Sequence, residues 1–335
     1  MPQPEASRRR PRWRTFLISL FGYGVALGCL VWVFSGIHWP ELWRELRHAD
    51  VRWILLAVMF QFASDVFHAW RWNLLLRPVA RLRLWGTVRA LYSGMFANEV
   101  LPLRPGELIR GYVLAAASKI PFSVVVSSIA LERLLDSSSL AAAFFITMLF
   151  LPLPGYLIAG VRVMAGILAV AAFLLMLFLW RMPDRGARLP RFLERLRHAN
   201  EGIRRMANVR TLVFCSAASL ASWGMQALPY SALSKSYHLG LSIGAMMAVL
   251  ILMRTATLVP TAPGNAGLLQ MACVLSLGFF AIDKTRATGF SALIFLALTL
   301  PLLVGGAILV AVTGVRIHTP RRDAAELATL DSPGI

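Results

Sequence analysis

The sequence predicts an all-α polytopic membrane protein made of two inverted-topology halves, with about six full spans and two broken or re-entrant helical hairpins. Three observations predict this. Of the 335 residues, 58% are hydrophobic and the mean hydropathy is +0.65, against roughly 45–50% apolar residues in an average soluble domain. Apolar runs of about 18 residues or more recur along the chain, the signature of membrane-spanning helices rather than of the short alternating strands of a barrel. Finally, two apolar regions are broken in the middle by the same motif, P-x-x-P-G.

The first 15 residues form a basic N-terminus, "RRRPRWR" and its flanks. The apolar run after it is too long for a signal-peptide core and lacks an A-x-A-like cleavage site, so it reads as a retained first span. Full spans are expected near 16–36, 53–76, 122–150, 157–180, 211–236 and 287–314. The membrane domain covers 16–315, with halves about 16–150 and 157–314, and 316–335 is a polar tail.

The broken regions are 88–118 and 243–282. The first reads "VLPLRPGEL" (Val100 to Leu108) and the second "LVPTAPGNA" (Leu258 to Ala266). Pro102, Pro105 and Gly106 stand 158 residues before Pro260, Pro263 and Gly264, and the preceding spans are offset by the same distance. Proline ends a helix and glycine permits a reversal. Limbs at about 88–101 and 106–118 are too short to cross a hydrocarbon core that needs about 20 residues. A re-entrant hairpin fits, provided it is buried in protein or lines a wet cavity. The second region has longer limbs and is open to either reading, re-entrant or crossing.

The formal net charge is +18, from 34 Lys and Arg against 16 Asp and Glu. The cations sit between apolar segments, and no nucleic-acid-binding motif accompanies them, so topology and anionic lipid explain them. With six spans and two non-crossing hairpins, 22 cationic residues fall on one side and six on the other. Both termini are then cytoplasmic, in the cytoplasmic (inner) membrane, and the halves run inverted. The loop 181–210 holds nine Arg; it reads as a topology-setting loop or as an amphipathic helix on anionic lipid. Cys29, Cys215 and Cys273 lie in apolar runs without metal-ligand spacing and read as buried small hydrophobes.

Asn98, Pro102, Pro105, Gly106, Glu107, Leu108 and Arg110, then Pro121, then Leu131, Glu132, Arg133 and Asp136, and in the second half Pro260, Pro263, Gly264 and Gly267, together resemble the flippase-like, or lysylphosphatidylglycerol synthase, transmembrane region family. The resemblance covers about 15–315. It implies a membrane protein that moves a lipid across the bilayer, a phospholipid or a polyprenyl- or hopanoid-type lipid, in some settings beside a separate lipid-modifying enzyme. Only some 20 residues follow Arg316, so no soluble aminoacyl-transferase domain is expected and transport is the part that carries over.

Charges inside a bilayer are functional-site candidates. Arg104 lies between the prolines of the first break, where a guanidinium matches a phosphate and the helix starting at Gly106 adds its N-terminus. Glu107 and Arg110 are i,i+3, as are Arg133 and Asp136, while Glu132 and Asp136 are i,i+4. Arg254 precedes the second break. Arg104, Glu107, Arg110, Glu132, Arg133, Asp136 and Arg254 are therefore the candidate headgroup site, at a polar cavity between the halves. The competing reading is that these charges only pair with one another and fix packing. Arg71 and Arg162 read as snorkelling side chains, Asp65 with His68 as a local pair, and the span-end Trp residues as an interfacial belt. No cofactor or metal is expected. No P-loop, HExxH or GxSxG motif is present, which favours a carrier over an enzyme. The alternative is a membrane subunit or scaffold for a separate lipid-modifying transferase.

Overall fold

A computed structural model describes residues 12–101, 105–150, 200–256 and 263–313, with Gly166 and Val170. Every regular element among the described residues is a helix. In chain order these are α1 (Arg12–Phe34), α2 (Trp39–Arg47), α3 (Val51–Leu76), α4 (Leu84–Val100), α5 (Gly106–Ser118) and α6 (Phe122–Phe150). A short helical stretch at 200–206 follows. Then come α7 (Val209–Ser236), α8 (Ile243–Ala256), a 3-10 turn (Pro263–Asn265) and α9 (Leu268–Gly278). The last rod, α10, runs from Lys284–Ile294 through a π-turn at Phe295–Thr299 into Leu300–Thr313. Pro301 explains the π-turn: it has no N–H to donate and its ring crowds the carbonyl four residues back, so the preceding turn widens.

Three described helices, Val51–Leu76, Val209–Ser236 and Lys284–Val312, are long and apolar enough to cross a membrane. No more than 33% of the apolar window of any of them is buried. The rest, including Leu55, Met59, Val213, Leu220, Ile308 and Val312, faces outward, as a hydrocarbon solvent requires. The chain is therefore a multi-pass membrane protein. The other expected spans fare differently. The first does not continue straight: α1 and α2 meet at 87°, because Gly36 takes a left-handed φ of 69° and Pro40 sits in the first turn of α2. α6 has 29 residues, enough to cross, but carries Glu132, Arg133 and Asp136. The span expected at 157–180 lies outside the described residues apart from Gly166 and Val170, both helical.

Helix starts follow local chemistry. Asp50 caps α3 by accepting from Arg52 N–H at 2.9 Å, and Asn208 caps α7 by accepting from Arg210 N–H at 3.2 Å. Those two caps are 158 residues apart, the offset of the two breaks. α3 and α7 pack along their length in opposite directions. Asp50 N–H donates to the Ser236 carbonyl at 3.1 Å, Lys235 Nζ lies 4.6 Å from the Trp53 ring centre, and Arg71 Nη1 donates to Ser219 Oγ at 2.5 Å. The broken regions also pack on distant parts of the chain: α4 on the Leu300–Thr313 part of α10, and α8 on α6.

Both breaks depend on glycine, for different reasons. Gly106 does not reverse the chain, contrary to the sequence reading; it is the first residue of α5. A Cβ there would stand 2.0 Å from the Gly94 carbonyl oxygen, so α4 and α5 touch backbone to backbone. Gly264 and Gly267 do reverse it, at φ of 63° and 81°. A Cβ at Gly264 would stand 2.2 Å from Glu99 Oε2, and one at Gly267 2.3 Å from the Ala26 carbonyl. The end of α4 thus meets the second break, and α9 nests against α1. The limbs of the second region, 14 and 11 residues, are each shorter than the roughly 20 residues of a span, so they are not the longer limbs expected. Pro102, Arg104 and Pro260 lie outside the described residues.

Candidate functional site

The limb α5 carries Glu107 and Arg110 on one face because they are one turn apart. α6 packs against α5 and α3, and brings Glu132, Arg133 and Asp136. The result is an alternating ladder of six charges. Arg133 Nη2 lies 3.0 Å from Glu107 Oε1, and Glu107 Oε2 lies 2.7 Å from Arg110 Nη2. Arg110 Nη2 donates to Glu132 Oε2 at 2.9 Å. Glu132 Oε1 accepts from Arg71 Nη2 at 3.0 Å, and Arg71 Nη1 donates to Asp136 Oδ1. Three arginines face three acids, so the ladder is formally neutral, as burial in a membrane demands.

The ladder is closed in the middle and most open at the Arg133–Glu107 end; Asp136, at the other end, is 26% exposed. The side chains of Arg110 and Glu132 are each 2% exposed, whereas Glu107 is 37% and Arg133 49% exposed. Arg110 stacks over Trp72, its Cζ 4.7 Å from the ring centre, and Trp72 Nε1 donates to Ser128 Oγ at 3.0 Å. The stack fixes the plane of the guanidinium. Only Nη2 is engaged: Nε and Nη1 of Arg110, on either side of it, are buried without a hydrogen-bond partner among the described residues. Glu107 Oε2 also makes no hydrogen bond; its approach to Arg110 is close but poorly angled. A buried arginine with two idle donors is an expensive arrangement for packing alone.

Of the sequence-predicted residues, Glu107, Arg110, Glu132, Arg133 and Asp136 come together. Arg133 turns to Glu107 rather than to Asp136, since neighbours in sequence on α6 point to different sides. Arg254 joins no rung of the ladder: it donates to Gln226 Oε1 at 3.2 Å and lies within electrostatic reach of Asp65 and Tyr230. Pro105 occupies the N-cap of α5, and Asn98 Oδ1 accepts the Gly106 N–H at 2.7 Å. One donor of the helix N-terminus expected to bind an anion is thereby taken by the chain itself. Pro263 opens the 3-10 turn of the second break.

Arg71 does not snorkel. It is 3% exposed and binds Glu132, Asp136 and Ser219 from three sides. His68 and Asp65 do not bond to one another: His68 Nε2 lies 2.6 Å from Glu132 Oε1, and Asp65 accepts from Gln61 and Tyr92. His68, Glu132 and Asp136 bring ligand atoms within 4.8 Å of one another, near enough for one metal ion. The Arg71 guanidinium, donating to both carboxylates, stands where that ion's charge would be needed. The sequence signal for Arg71 was the acid excess of α6: with Arg133 turned away, Glu132 and Asp136 require a cation from another helix.

Comparison with known proteins bears on the whole chain. A UPF0104 membrane protein of Pyrococcus horikoshii is 25% identical over 170 residues, which is 50% of this chain and 48% of that protein. The chain thus aligns with about half the length of that relative. The sequence profile of the lysylphosphatidylglycerol synthase transmembrane region matches residues 19–306, nearly the full helical assembly including both breaks and the ladder. This chain belongs to the lysylphosphatidylglycerol synthase transmembrane region family.

Proposed function

We propose that this protein binds a phosphate-bearing lipid by its headgroup and carries it across the cytoplasmic membrane. The observation that carries the reading is Arg110, buried at the first broken helix with Nε and Nη1 unused. Nε and Nη1 each lie beside Nη2, so a phosphate that displaces Glu107 from Nη2 gains two adjacent donors on one edge, Nε with Nη2 or Nη1 with Nη2, which match two of its oxygens. The half-exposed Arg133–Glu107 rung is the entry. A phosphate arriving there exchanges with the loosely held Glu107 carboxylate and meets Arg133 and Arg110 in turn. Glu132 and Asp136 keep the arginines in place, and Glu107, once displaced, is free for a cationic headgroup. Arg104, which lies in sequence between α4 and α5, joins the same site in this reading. Arg254 acts from the second broken region.

The antiparallel packing of α3 on α7, with caps and breaks at one offset, supports two halves of inverted topology. Inverted halves let the site face either leaflet by rocking about the crossing. The cation distribution supports a cytoplasmic position for both termini.

The test is reconstitution in vesicles of phosphatidylethanolamine and phosphatidylglycerol with a fluorescent phosphatidylglycerol, reading leaflet accessibility by quenching. The wild-type protein accelerates exchange between leaflets. R110Q and R104Q insert normally and lose most of that acceleration. Full exchange in both variants removes the site, and no exchange by the wild type removes the transport reading and leaves support of a separate lipid-modifying enzyme.

A further inference from the structure

A second polar group sits away from the ladder, and no rung of the ladder bonds to it. Asp65 lies in the middle of α3, in a span of 26 residues, and is 7% exposed. Its carboxylate accepts from Gln61 Nε2 at 2.9 Å and from Tyr92 OH at 2.9 Å. Among the described residues no cation stands within salt-bridge distance of it.

The contrast with Glu132 decides what each acid can do. Glu132 touches His68, but it also lies between Arg71 and Arg110, two fixed cations that can only donate and that hold it as a carboxylate. The partners of Asp65 are of another kind. A phenol both donates and accepts, and a carboxamide has an oxygen as well as an NH2. When Asp65 is ionised, both partners donate to it. When it takes up a proton, its new O–H can donate to the Tyr92 oxygen or to the Gln61 carbonyl. The cage satisfies both protonation states without moving a charged neighbour. We infer that Asp65 is a membrane-embedded proton-binding site, separate from the lipid ladder, that loads and releases one proton.

Its position makes the proton consequential. The opposed pairs Asp50–Ser236 and Arg71–Ser219 put Asp65 across from the Trp223–Gly224 region of α7, near the middle of the α3–α7 contact. Tyr92 is on α4, the limb whose end presses on Gly264 of the second break. The charged and titratable groups around Asp65 are His68 on its own helix, Tyr92 on α4 and Arg254 on α8. On α7, Tyr230 and the neutral Gln226 sit beside Arg254. α6 offers Glu132 and Asp136, already taken by Arg71, and the π-turn Phe295–Thr299 on α3 has no titratable side chain. Uptake of a proton weakens a charge-assisted bond to one broken region, through Tyr92. It also cancels the attraction toward the cation on the other, Arg254. Coupling of that proton to lipid movement rests on the transport reading above; proton binding itself does not.

The experiment has two arms. Infrared difference spectra of the wild-type protein in nanodiscs are taken between about pH 8 and about pH 5. A protonated-carboxyl band is expected that D65N removes and Y92F shifts in frequency. Spectra without a D65N-sensitive band overturn the inference. In the vesicle assay with fluorescent phosphatidylglycerol, an imposed pH gradient should bias the leaflet distribution, by up to about tenfold per pH unit for one proton per lipid, and D65N should lose the bias. Wild-type exchange that ignores the gradient overturns the coupling. Absence of exchange under every condition overturns the transport reading instead, and the infrared arm still decides the proton site.

Discussion

Removing the Glu132 carboxylate should be the most damaging single change to the ladder. Glu132 holds Arg71 Nη2 at 3.0 Å, Arg110 Nη2 at 2.9 Å and His68 Nε2 at 2.6 Å, and is 2% exposed. The substitution E132Q keeps the volume but deletes the charge and turns an NH2 group toward arginines that can only donate. Breaking a buried ion pair by removing one partner costs about 3–5 kcal/mol. Arg71 keeps Asp136 and Ser219, while Arg110 keeps only the poorly angled Glu107, so most of the loss falls on Arg110. At about 2–4 °C per kcal/mol, the apparent melting temperature should fall by roughly 10 °C. Size-exclusion thermal melts of the detergent-solubilised protein read this directly. A control separates charge from shape: E132M with R110M, which removes both charges and fills the space with apolar atoms, should recover much of the loss. E132Q melting within about 2 °C of wild type would refute the reasoning, because a closed ladder cannot lose its central acid so cheaply.

Other changes probe the surrounding frame. G106A should destabilise by about 1–3 kcal/mol or abolish folding, because the atom in its way is the Gly94 carbonyl of the neighbouring limb; expression and thermal melting check it. G264A should cost about 1–2 kcal/mol for its left-handed backbone, less than G106A, since the Glu99 carboxylate can swing aside. W72F removes the bond to Ser128, weakens the stack on Arg110 and leaves a cavity at a fully buried position, so lipid exchange should fall and stability should drop by about 1–3 kcal/mol, read by thermal melting. K284M should loosen the junction of α1 with α2 by at most about 1 kcal/mol, because Lys284 Nζ caps the Trp32 and Ser35 carbonyls at 2.7 and 2.8 Å; faster proteolysis near 36–39 would report it.

How far the sequence carries depends on what each feature rests on. The breaks were legible because proline and glycine act locally, and the predicted limb 106–118 matches Gly106–Ser118. Glu107, Arg110 and the three charges of α6 were legible because charges in apolar runs stand out. Their pairing was not, since it depends on which way neighbouring residues of α6 face once α3 and α5 pack on it. Arg71 was misread for the same reason: five residues from a helix end, snorkelling satisfies it, and only Glu132, Asp136 and Ser219, on two other helices, say otherwise. Gly106 shows the limit of motif reading. The residue is needed where a reversal was expected, but what needs it is Gly94 on the other limb.

The central claim is that a lipid phosphate sits inside the ladder at Arg110. Photo-crosslinking with a phosphatidylglycerol bearing a diazirine next to its phosphate, followed by mass-spectrometric mapping of the adducts, tests it most directly. Adducts should concentrate on α5 and α6 between Glu107 and Asp136 and disappear in R110Q. Adducts confined to outward-facing positions such as Leu55, Met59 and Val213, and unchanged in R110Q, would contradict it.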